Sequence, residues 1–128
     1  RSSLSFRYRH SGLASDLLIT GATLSLTEDD PSIIRRRIQE YTEQRKNTQP
    51  SADQSAGCMF KNPAGESAGC KGVAVGGAMV SPLHGNFIVN RGGATSKDTL
   101  SLIDSIREKV RMETGVELEL EVRVVGSI

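Results

Sequence analysis

The 128-residue sequence predicts a single small α+β domain, residues 1–128, in which a mostly antiparallel or mixed sheet is covered by two main helices. Three observations support this fold class. Two segments carry apolar residues at helical spacing, several short apolar runs lie between them, and the last segment alternates apolar and charged residues. A chain of this length is sufficient for one hydrophobic core.

The first predicted element is a strand over residues 17–27, which are mostly β-branched or apolar. A helix follows it, with Asp30 placed to cap the helix and Pro31 suited to its first position. Apolar residues recur along this helix at helical spacing: Ile34, Ile38 and Tyr41. We expect the helix to run to about Lys46, because the residue before Pro50 avoids the α region.

Residues 51–72 are rich in Gly, Ala, Ser and Pro and predict a long loop, which in a compact domain is often functional. Short apolar runs follow at 73–75 and 78–80. Residues 86–90 then predict a strand, since they are mainly β-branched or aromatic and end at Arg-Gly-Gly.

The second predicted helix begins after Ser96 as its N-cap and stops at Gly115. Its apolar stripe consists of Leu100, Ile103, Ile106 and Val110. Residues 117–124 alternate cleanly and predict a final strand. One face of this strand carries Leu118, Leu120, Val122 and Val124, and the other carries Glu117, Glu119, Glu121 and Arg123.

The composition excludes several classes of protein. With 16 basic and 15 acidic residues the formal net charge is +1, which argues against a nucleic-acid-binding protein. Arg35, Arg36 and Arg37 are interpreted as a solvated helix face; the alternative is a basic-helix nucleic-acid module. No apolar run approaches the roughly 20 residues needed to span a bilayer. The first residues lack an apolar signal core, so no secretory signal is expected.

Metal and nucleotide motifs are absent from the sequence. His10 and His84 lack metal-ligand spacing, and Cys58 and Cys70 do not form a CxxC pair, so we expect no metal site. Both cysteines are predicted to be reduced, as in a cytosolic-type compartment. The glycine-rich segments match neither a phosphate-binding P-loop nor a dinucleotide-binding turn.

Three positions are candidates for chemistry. Cys58 lies in the long loop with Lys61 nearby, and a thiol with a pKa of about 8.5 gives up its proton more readily than a hydroxyl. The alternative is that Cys58 is an unreactive residue that packs as a small apolar side chain. The acids at 117, 119 and 121 form a row of which one member could enter a cleft, and spacing does not choose among them. Arg9 offers a planar fork for a carboxylate or phosphate, or is simply solvated.

The loop around Cys58 carries a resemblance to a known family. Residues 55–63, Ser-Ala-Gly-Cys-Met-Phe-Lys-Asn-Pro, with Gly-Glu-Ser-Ala-Gly at 65–69, resemble the signature of the UDP-N-acetylenolpyruvoylglucosamine reductase (MurB) family. Further pieces fall in the family's order: Phe-Arg-Tyr-Arg-His-Ser at 6–11, Arg45 with Thr48-Gln49-Pro50, Lys71-Gly72 with 75–81, His84 with 86–90, Gly93-Ala94-Thr95 with Asp98, and 115–123. The resemblance covers nearly the whole chain.

The resemblance implies a flavin-dependent enzyme that converts UDP-N-acetylglucosamine enolpyruvate to UDP-N-acetylmuramate, a precursor of peptidoglycan. It implies FAD as cofactor and NADPH as reductant. Cys58 stands where many members have a serine that protonates the substrate, and a thiol is the stronger acid. Arg9 and Glu121 would stabilise the enol-like intermediate. The implied substrate contacts are Tyr8, Lys61, Asn62 and His84.

The sequence departs from the family pattern in three ways. The family's flavin domain precedes the Tyr8-Arg9 motif, so it is expected elsewhere in the same polypeptide, and this chain alone is expected to be inactive. Only Cys70 separates residues 67–69 from Lys71, where the family has a longer stretch, and Leu120 replaces a proline. The alternative function is a non-catalytic domain that binds a UDP-sugar or a protein partner. A bacterial member would be cytoplasmic, and the alternative location is the plastid stroma.

Overall fold

The computed structural model describes residues 5–14, 16–61 and 68–126. It has two helices and a four-stranded antiparallel sheet, so the predicted α+β class is confirmed. The helices are α1, Pro31–Thr48, and α2, Ser96–Thr114. The strands are β1, Gln54–Cys58, β2, Ala74–Val75, β3, Ala78–Val80, and β4, Phe87–Asn90.

The strand order in the sheet is β1-β4-β3-β2, and each neighbouring pair is antiparallel. The hairpin turn between β2 and β3 is Gly76-Gly77, which lies against the start of α2. A Cβ on Gly77 would come within 2.5 Å of the backbone nitrogen of Ala94, and one on Gly76 within 2.5 Å of the Asp98 carboxylate. Glycine at both positions therefore allows the hairpin to approach α2 closely.

Helix α2 is the helix that packs on β2 and β3. Its N-cap is Thr95, not Ser96 as predicted, because Thr95 forms a capping box with Asp98. The Thr95 hydroxyl accepts from the Asp98 N–H at 3.1 Å, and the Asp98 carboxylate accepts from the Thr95 N–H at 2.9 Å. The helix stops at Gly115, whose φ of 72° is left-handed, as the sequence predicts.

The hydrophobic core lies between α2 and the sheet. Of the predicted α2 stripe, Ile103, Ile106 and Val110 are buried and Leu100 packs at the edge of the core, whereas the fully buried Leu102 was missed. Residues that follow Cys58, together with Leu118, complete the core. Its members are Met59, Phe60, Ala68, Cys70, Ala78, Val80, Ile88, Leu102, Ile103, Ile106, Val110 and Leu118.

Helix α1 begins and ends close to where the sequence predicts. The Asp30 carboxylate accepts from the Ser32 N–H at 2.7 Å, and Thr48 is the last helical residue before Gln49-Pro50. None of the 18 residues of α1 is buried. The predicted stripe therefore faces outward from the described part of the chain: Ile34, Ile38 and Tyr41 are 39%, 58% and 59% exposed.

The predicted strand over residues 17–27 is wrong: these residues form no strand, and Leu18 and Leu26 are 86% and 85% exposed. A strand needs a neighbour to satisfy its backbone N–H and C=O groups, and no described residue supplies one. Conversely, β1 forms inside the predicted loop, because β4 offers it a partner despite its small residues.

The predicted C-terminal strand is reduced to one bridge between Leu120 and Phe60. The alternation holds at Leu118, which is buried, but Val124 is 52% exposed. Residues 117–124 find backbone hydrogen-bond partners only at residues 59–61. The pairing therefore stops after Glu121, and the predicted continuous strand is not formed.

Candidate active site

Cys58 is the last residue of β1 and pairs in register with Phe87 of β4. The register between these strands shifts between Ser55 and Cys58, and Gly57 has a φ of +88°. A bulge with glycine in a left-handed conformation bends a strand and changes the direction of the following side chain. The half-buried Cys58 thiol is thus presented at the end of β1, as an ordered element and not a loop.

Residues 59–61, which follow Cys58, are held from two sides. On one side they pair with residues 119–121: the Lys61 N–H donates to the Glu119 carbonyl, and the Glu121 N–H donates to the Met59 carbonyl, both at 2.9 Å. On the other side Asn86 binds the backbone of Met59 and Phe60. Cys58 therefore directly precedes Met59, the residue whose carbonyl binds the Glu121 backbone.

Arg9, which lies near the start of the chain, contacts Glu121 near its end. The four residues Arg7 to His10 form a tight turn closed by two backbone hydrogen bonds, 2.9 and 3.0 Å long. Within that turn Arg9 has a φ of 57°, which is unusual for a side-chain-bearing residue. Its guanidinium binds the Glu121 carboxylate and lies 5.6 Å from the centre of the Tyr8 ring. The structure thus brings two of the three predicted catalytic residues into contact.

The structure distinguishes the three acids that the spacing left equivalent. Glu121 pairs with Arg9, Glu119 pairs with Lys61, and Glu117 lies 4.0 Å from Arg111. Glu121 has the most buried side chain of the three, 28% exposed against 72% for Glu119 and 69% for Glu117. Its Oε2 is the one buried side-chain oxygen or nitrogen without a hydrogen-bond partner in the described part of the chain.

Tyr8 and Lys61, two of the predicted substrate contacts, lie beside this pair. The Tyr8 hydroxyl donates to the Lys61 carbonyl at 2.9 Å, and the Lys61 ammonium binds Glu119. The Tyr8–Lys61 hydrogen bond thus links the two ion pairs, Arg9 with Glu121 and Lys61 with Glu119. Asn62, the third predicted contact, lies outside the described residues.

His84, the fourth predicted contact, lies in the β3–β4 loop. Its ring is tilted against Phe87, with ring centres 4.8 Å apart, and its Nδ1 accepts from the Asn86 N–H at 3.2 Å. Because Phe87 is the register partner of Cys58, His84 lies behind the Cys58 end of the site.

A cleft of about 280 Å³ passes beside Gly57 and Phe87 and is bordered by Arg45 and Asp53. A larger cleft of about 520 Å³ continues from Arg45 and Gln49 to Leu83, with Lys46 on its rim. Neither cleft is lined by Arg9 or Glu121, so we identify the site from the convergent charged groups and not from cavity size.

Asn86 is the residue that the sequence reasoning missed. It appeared there only as part of a strand, yet it is buried and its side chain holds both polar backbone groups of Phe60. The available signal was a polar residue directly before an apolar strand and two residues after His84. That pattern shows polarity but not the distant partner, which comes from residue 60.

Cys70 is unlike Cys58. It is 1% exposed within the core, and burial raises the pKa of its thiol. Both cysteines are free. In the described ranges, no cluster of His, Cys, Asp and Glu could hold a metal ion. The described helices include none that is long and apolar enough to cross a membrane.

Comparison with known proteins places this geometry in a family. The family model described as "UDP-N-acetylenolpyruvoylglucosamine reductase, C-terminal domain" matches residues 49–125. A UDP-N-acetylenolpyruvoylglucosamine reductase of Geotalea uraniireducens is 44% identical, with 98% of this chain and 44% of the relative covered. One of Moorella thermoacetica is 43% identical, with 96% of this chain and 43% of the relative covered.

A solved structure agrees with these relatives. The crystal structure of the UDP-N-acetylenolpyruvylglucosamine reductase (MurB) from Thermus caldophilus is 42% identical and superimposes with a TM-score of 0.72. The match covers 92% of this chain and 45% of that one. The chain thus spans less than half the length of the relatives it matches. This chain belongs to the UDP-N-acetylenolpyruvoylglucosamine reductase family.

Proposed function

We propose that this chain is the substrate-binding, C-terminal part of a reductase that converts UDP-N-acetylglucosamine enolpyruvate to UDP-N-acetylmuramate for peptidoglycan synthesis. The observation that carries the proposal is the contact between Arg9 and Glu121, whose backbone binds Met59, the residue that follows Cys58. Arg9, Glu121 and Cys58 are the three residues to which the family resemblance assigns catalytic roles. Family membership supports the reaction class, because the relatives carry the reductase name.

Arg9 and Glu121 would act on the charge that develops on the substrate. The Arg9 guanidinium is a fixed cation suited to the substrate carboxylate, where the enol-like intermediate accumulates negative charge. Glu121 holds that guanidinium in place through its carboxylate. Such preorganised groups lower the barrier because they need no rearrangement during the reaction.

Cys58 would supply the proton. When hydride adds to one vinyl carbon of the enolpyruvyl group, the neighbouring carbon must gain a proton to complete the reduction. The Cys58 thiol donates that proton and becomes a thiolate, which solvent then reprotonates. Its half-buried position at the end of β1 gives it access to both substrate and solvent.

The flavin is proposed to bind to another part of the same polypeptide. The conspicuous glycine turn described here, Gly76-Gly77, does not fit a flavin nucleotide: the Asp98 carboxylate and the Ala94 backbone fill the space that a phosphate would need. The relatives are more than twice the length of the matched region, which leaves room for a flavin domain. Bound there and reduced by NADPH, FAD would supply the hydride. Residues 1–128 are proposed to form the substrate-binding domain, and this domain without the flavin domain is proposed to be inactive.

Tyr8, Lys61, Asn62 and His84 are proposed substrate contacts. Lys61 has a cationic group beside the catalytic pair, which suits the anionic diphosphate of a UDP-sugar. The proposed location is the cytoplasm, with the plastid stroma as the alternative, and we propose no nucleic-acid or membrane partner.

One observation favours a second candidate, a non-catalytic domain that binds a UDP-sugar or a protein. Where the sequence lacks the family's longer stretch, Ala68 and Cys70 are buried in the core and the Lys109 ammonium binds the Gly69 carbonyl at 3.2 Å. The direct connection is therefore a tightly packed feature of the fold. A domain that lacks the family's longer stretch at this point could bind a ligand without converting it to product.

The deciding experiment uses the complete polypeptide that contains this chain, purified and analysed for bound flavin. UDP-N-acetylglucosamine enolpyruvate is added with NADPH, and the product is identified by mass spectrometry. We expect NADPH oxidation in step with formation of UDP-N-acetylmuramate. Ligand binding without product, in a flavin-loaded protein, would overturn the reductase proposal in favour of the second candidate.

A further inference from the structure

We propose that Asn86 is a positioning residue of the reductase site, which it organises through the backbone of residues 59–61. The inference rests on the proposed function, because it concerns the same site. Asn86 directly precedes β4 and is 6% exposed. Together with Ser81 it makes up the buried polar side chains of the described residues, so its polar atoms require partners within the protein.

Those partners are the backbone groups that follow Cys58. The Phe60 N–H donates to Oδ1 of Asn86 at 2.8 Å, and Nδ2 of Asn86 donates to the Phe60 carbonyl at 2.7 Å. The Asn86 carbonyl accepts from the Met59 N–H at 2.8 Å. A carboxamide both accepts and donates, as a neighbouring peptide group would. The last register pair of β1 and β4 is Cys58 with Phe87. Asn86 adds hydrogen bonds to residues 59 and 60, beyond that pair.

Residues 59–61 in turn support the elements that carry the catalytic groups. The Met59 carbonyl binds the Glu121 backbone, and the Lys61 carbonyl binds the Tyr8 hydroxyl, each at 2.9 Å. Arg9 follows Tyr8 directly, and Cys58 precedes Met59. The backbone position of residues 59–61 therefore sets the relative placement of all three proposed catalytic residues. Asn86 acts on these residues through its hydrogen bonds to the Phe60 and Met59 backbone.

A purely structural role makes a different prediction. If Asn86 only satisfied two buried backbone groups, its loss would lower stability and leave the turnover of the folded protein unchanged. A positioning role lowers kcat in the folded protein with little change in KM, because small misplacements affect the transition state more than ground-state binding. The two roles are therefore separable by kinetics at matched folded fraction.

The experiment compares Asn86→Ala, Asn86→Asp and Thr95→Ala in the complete flavin-loaded polypeptide. Thr95→Ala is the control, since it removes the N-cap of α2, destabilises the same domain and lies outside the site. For Asn86→Ala we expect kcat about tenfold to hundredfold below wild type, with KM within about threefold. A kcat equal to that of Thr95→Ala at equal folded fraction would overturn the proposal.

Asn86→Asp keeps the test valid where the alanine variant does not fold. A protonated carboxyl can accept from the Phe60 N–H and donate to the Phe60 carbonyl, as the carboxamide does, whereas an ionised carboxylate repels that carbonyl. We expect its kcat, relative to wild type at each pH, to recover at least about fivefold from about pH 8.5 to about pH 6. A constant ratio would count against positioning.

A second readout separates this inference from the proposed function. Hydrogen exchange of the same variants reports residues 59–61 and 119–121 directly, without turnover. Faster exchange in both segments for Asn86→Ala, with α2 unchanged, supports positioning even where wild type lacks reductase activity and the proposed function fails. If hydrogen exchange in both segments is the same in Asn86→Ala as in wild type, the inference is wrong, whatever the activity of wild type.

Discussion

The Arg9 guanidinium binds the Glu121 carboxylate although the two residues are 112 positions apart in the sequence. The contact joins the turn at residues 7–10 to the segment 119–121, which pairs with residues 59–61 directly after β1. Arg9 is the described non-glycine residue with a positive φ, and such strained conformations tend to persist at functional sites. Its contacts with Glu121 and Tyr8 compensate for the strain and fix the direction of the guanidinium.

The first prediction concerns this pair. In the complete polypeptide, Arg9→Lys and Glu121→Gln should each lower kcat by about 10²–10³-fold. The lysine variant loses the planar guanidinium that binds the Glu121 carboxylate, and the glutamine variant loses the carboxylate charge. The double variant should lose less than the sum of the single losses in free energy of activation, since the two residues act as one unit. Steady-state kinetics with a double-mutant cycle measures both.

The matched control for that pair is Glu119→Gln. Glu119 belongs to the neighbouring ion pair with Lys61 but has a 72% exposed side chain, so its charge is screened by solvent. Activity within about twofold of wild type is expected. A loss as large as that of Glu121→Gln would show that the row of acids acts as a general field and not through Glu121.

The second prediction concerns the proton donor. Cys58→Ala should lower kcat by about 10²–10⁴-fold, the usual contribution of a general acid. Cys58→Ser should recover part of this loss, because a hydroxyl at this position can also donate a proton. Product formation under saturating substrate checks the order wild type, serine variant, alanine variant; an alanine variant as active as wild type would remove Cys58 from the mechanism.

The third prediction separates the two thiols by reactivity. Iodoacetamide should modify Cys58 in the native protein well before Cys70, because Cys70 is 1% exposed and burial raises the pKa of its thiol. Peptide mass spectrometry over a labelling time course measures both rates. Unfolding the Cys58→Ala variant should release Cys70 for labelling, and equal rates in the native protein would contradict the buried position of Cys70.

The fourth prediction concerns acid stability. Hydrogen bonds from Thr95 lower the pKa of Asp98 below its ordinary value, so its contribution to stability is present above the unfolded-state pKa of about 3.9 and is lost as pH falls through the folded-state pKa. Asp98→Ala should therefore destabilise the protein at neutral pH, and the difference from wild type should shrink toward about pH 3. Urea unfolding followed by circular dichroism measures this difference.

Asp104→Ala provides the comparison for Asp98, because Asp104 is an exposed acid in the same helix α2. Its effect on stability should be small at each pH, as for most surface substitutions. A difference between wild type and Asp98→Ala that stays constant down to the acid limit would show that the capping carboxylate does not contribute through its charge.

Features that depend on neighbouring residues were predictable from the sequence. Capping by Asp30, the stop before Pro50 and the left-handed Gly115 follow from interactions within one helical turn. The motif around Cys58 likewise indicated the family, which the comparisons confirm. The one-residue error at the start of α2 arose because Thr95 and Ser96 are both good caps, and only the position of Asp98 selects Thr95.

Features that depend on distant residues were decided by the tertiary structure. Residues 17–27 have strand-like composition but no partner among the described residues, whereas β1 has weak strand character and a partner in β4. The pairing of Glu121 with Arg9, and the hydrogen bonds between Asn86 and Phe60, likewise require residues remote in sequence. The sequence by itself determined the helices, the class of fold and the family; the tertiary structure decided which strands pair and which acid pairs with Arg9. The physical reason is that helix hydrogen bonds join near neighbours, while strand and ion pairs join groups whose separation along the chain leaves no local pattern.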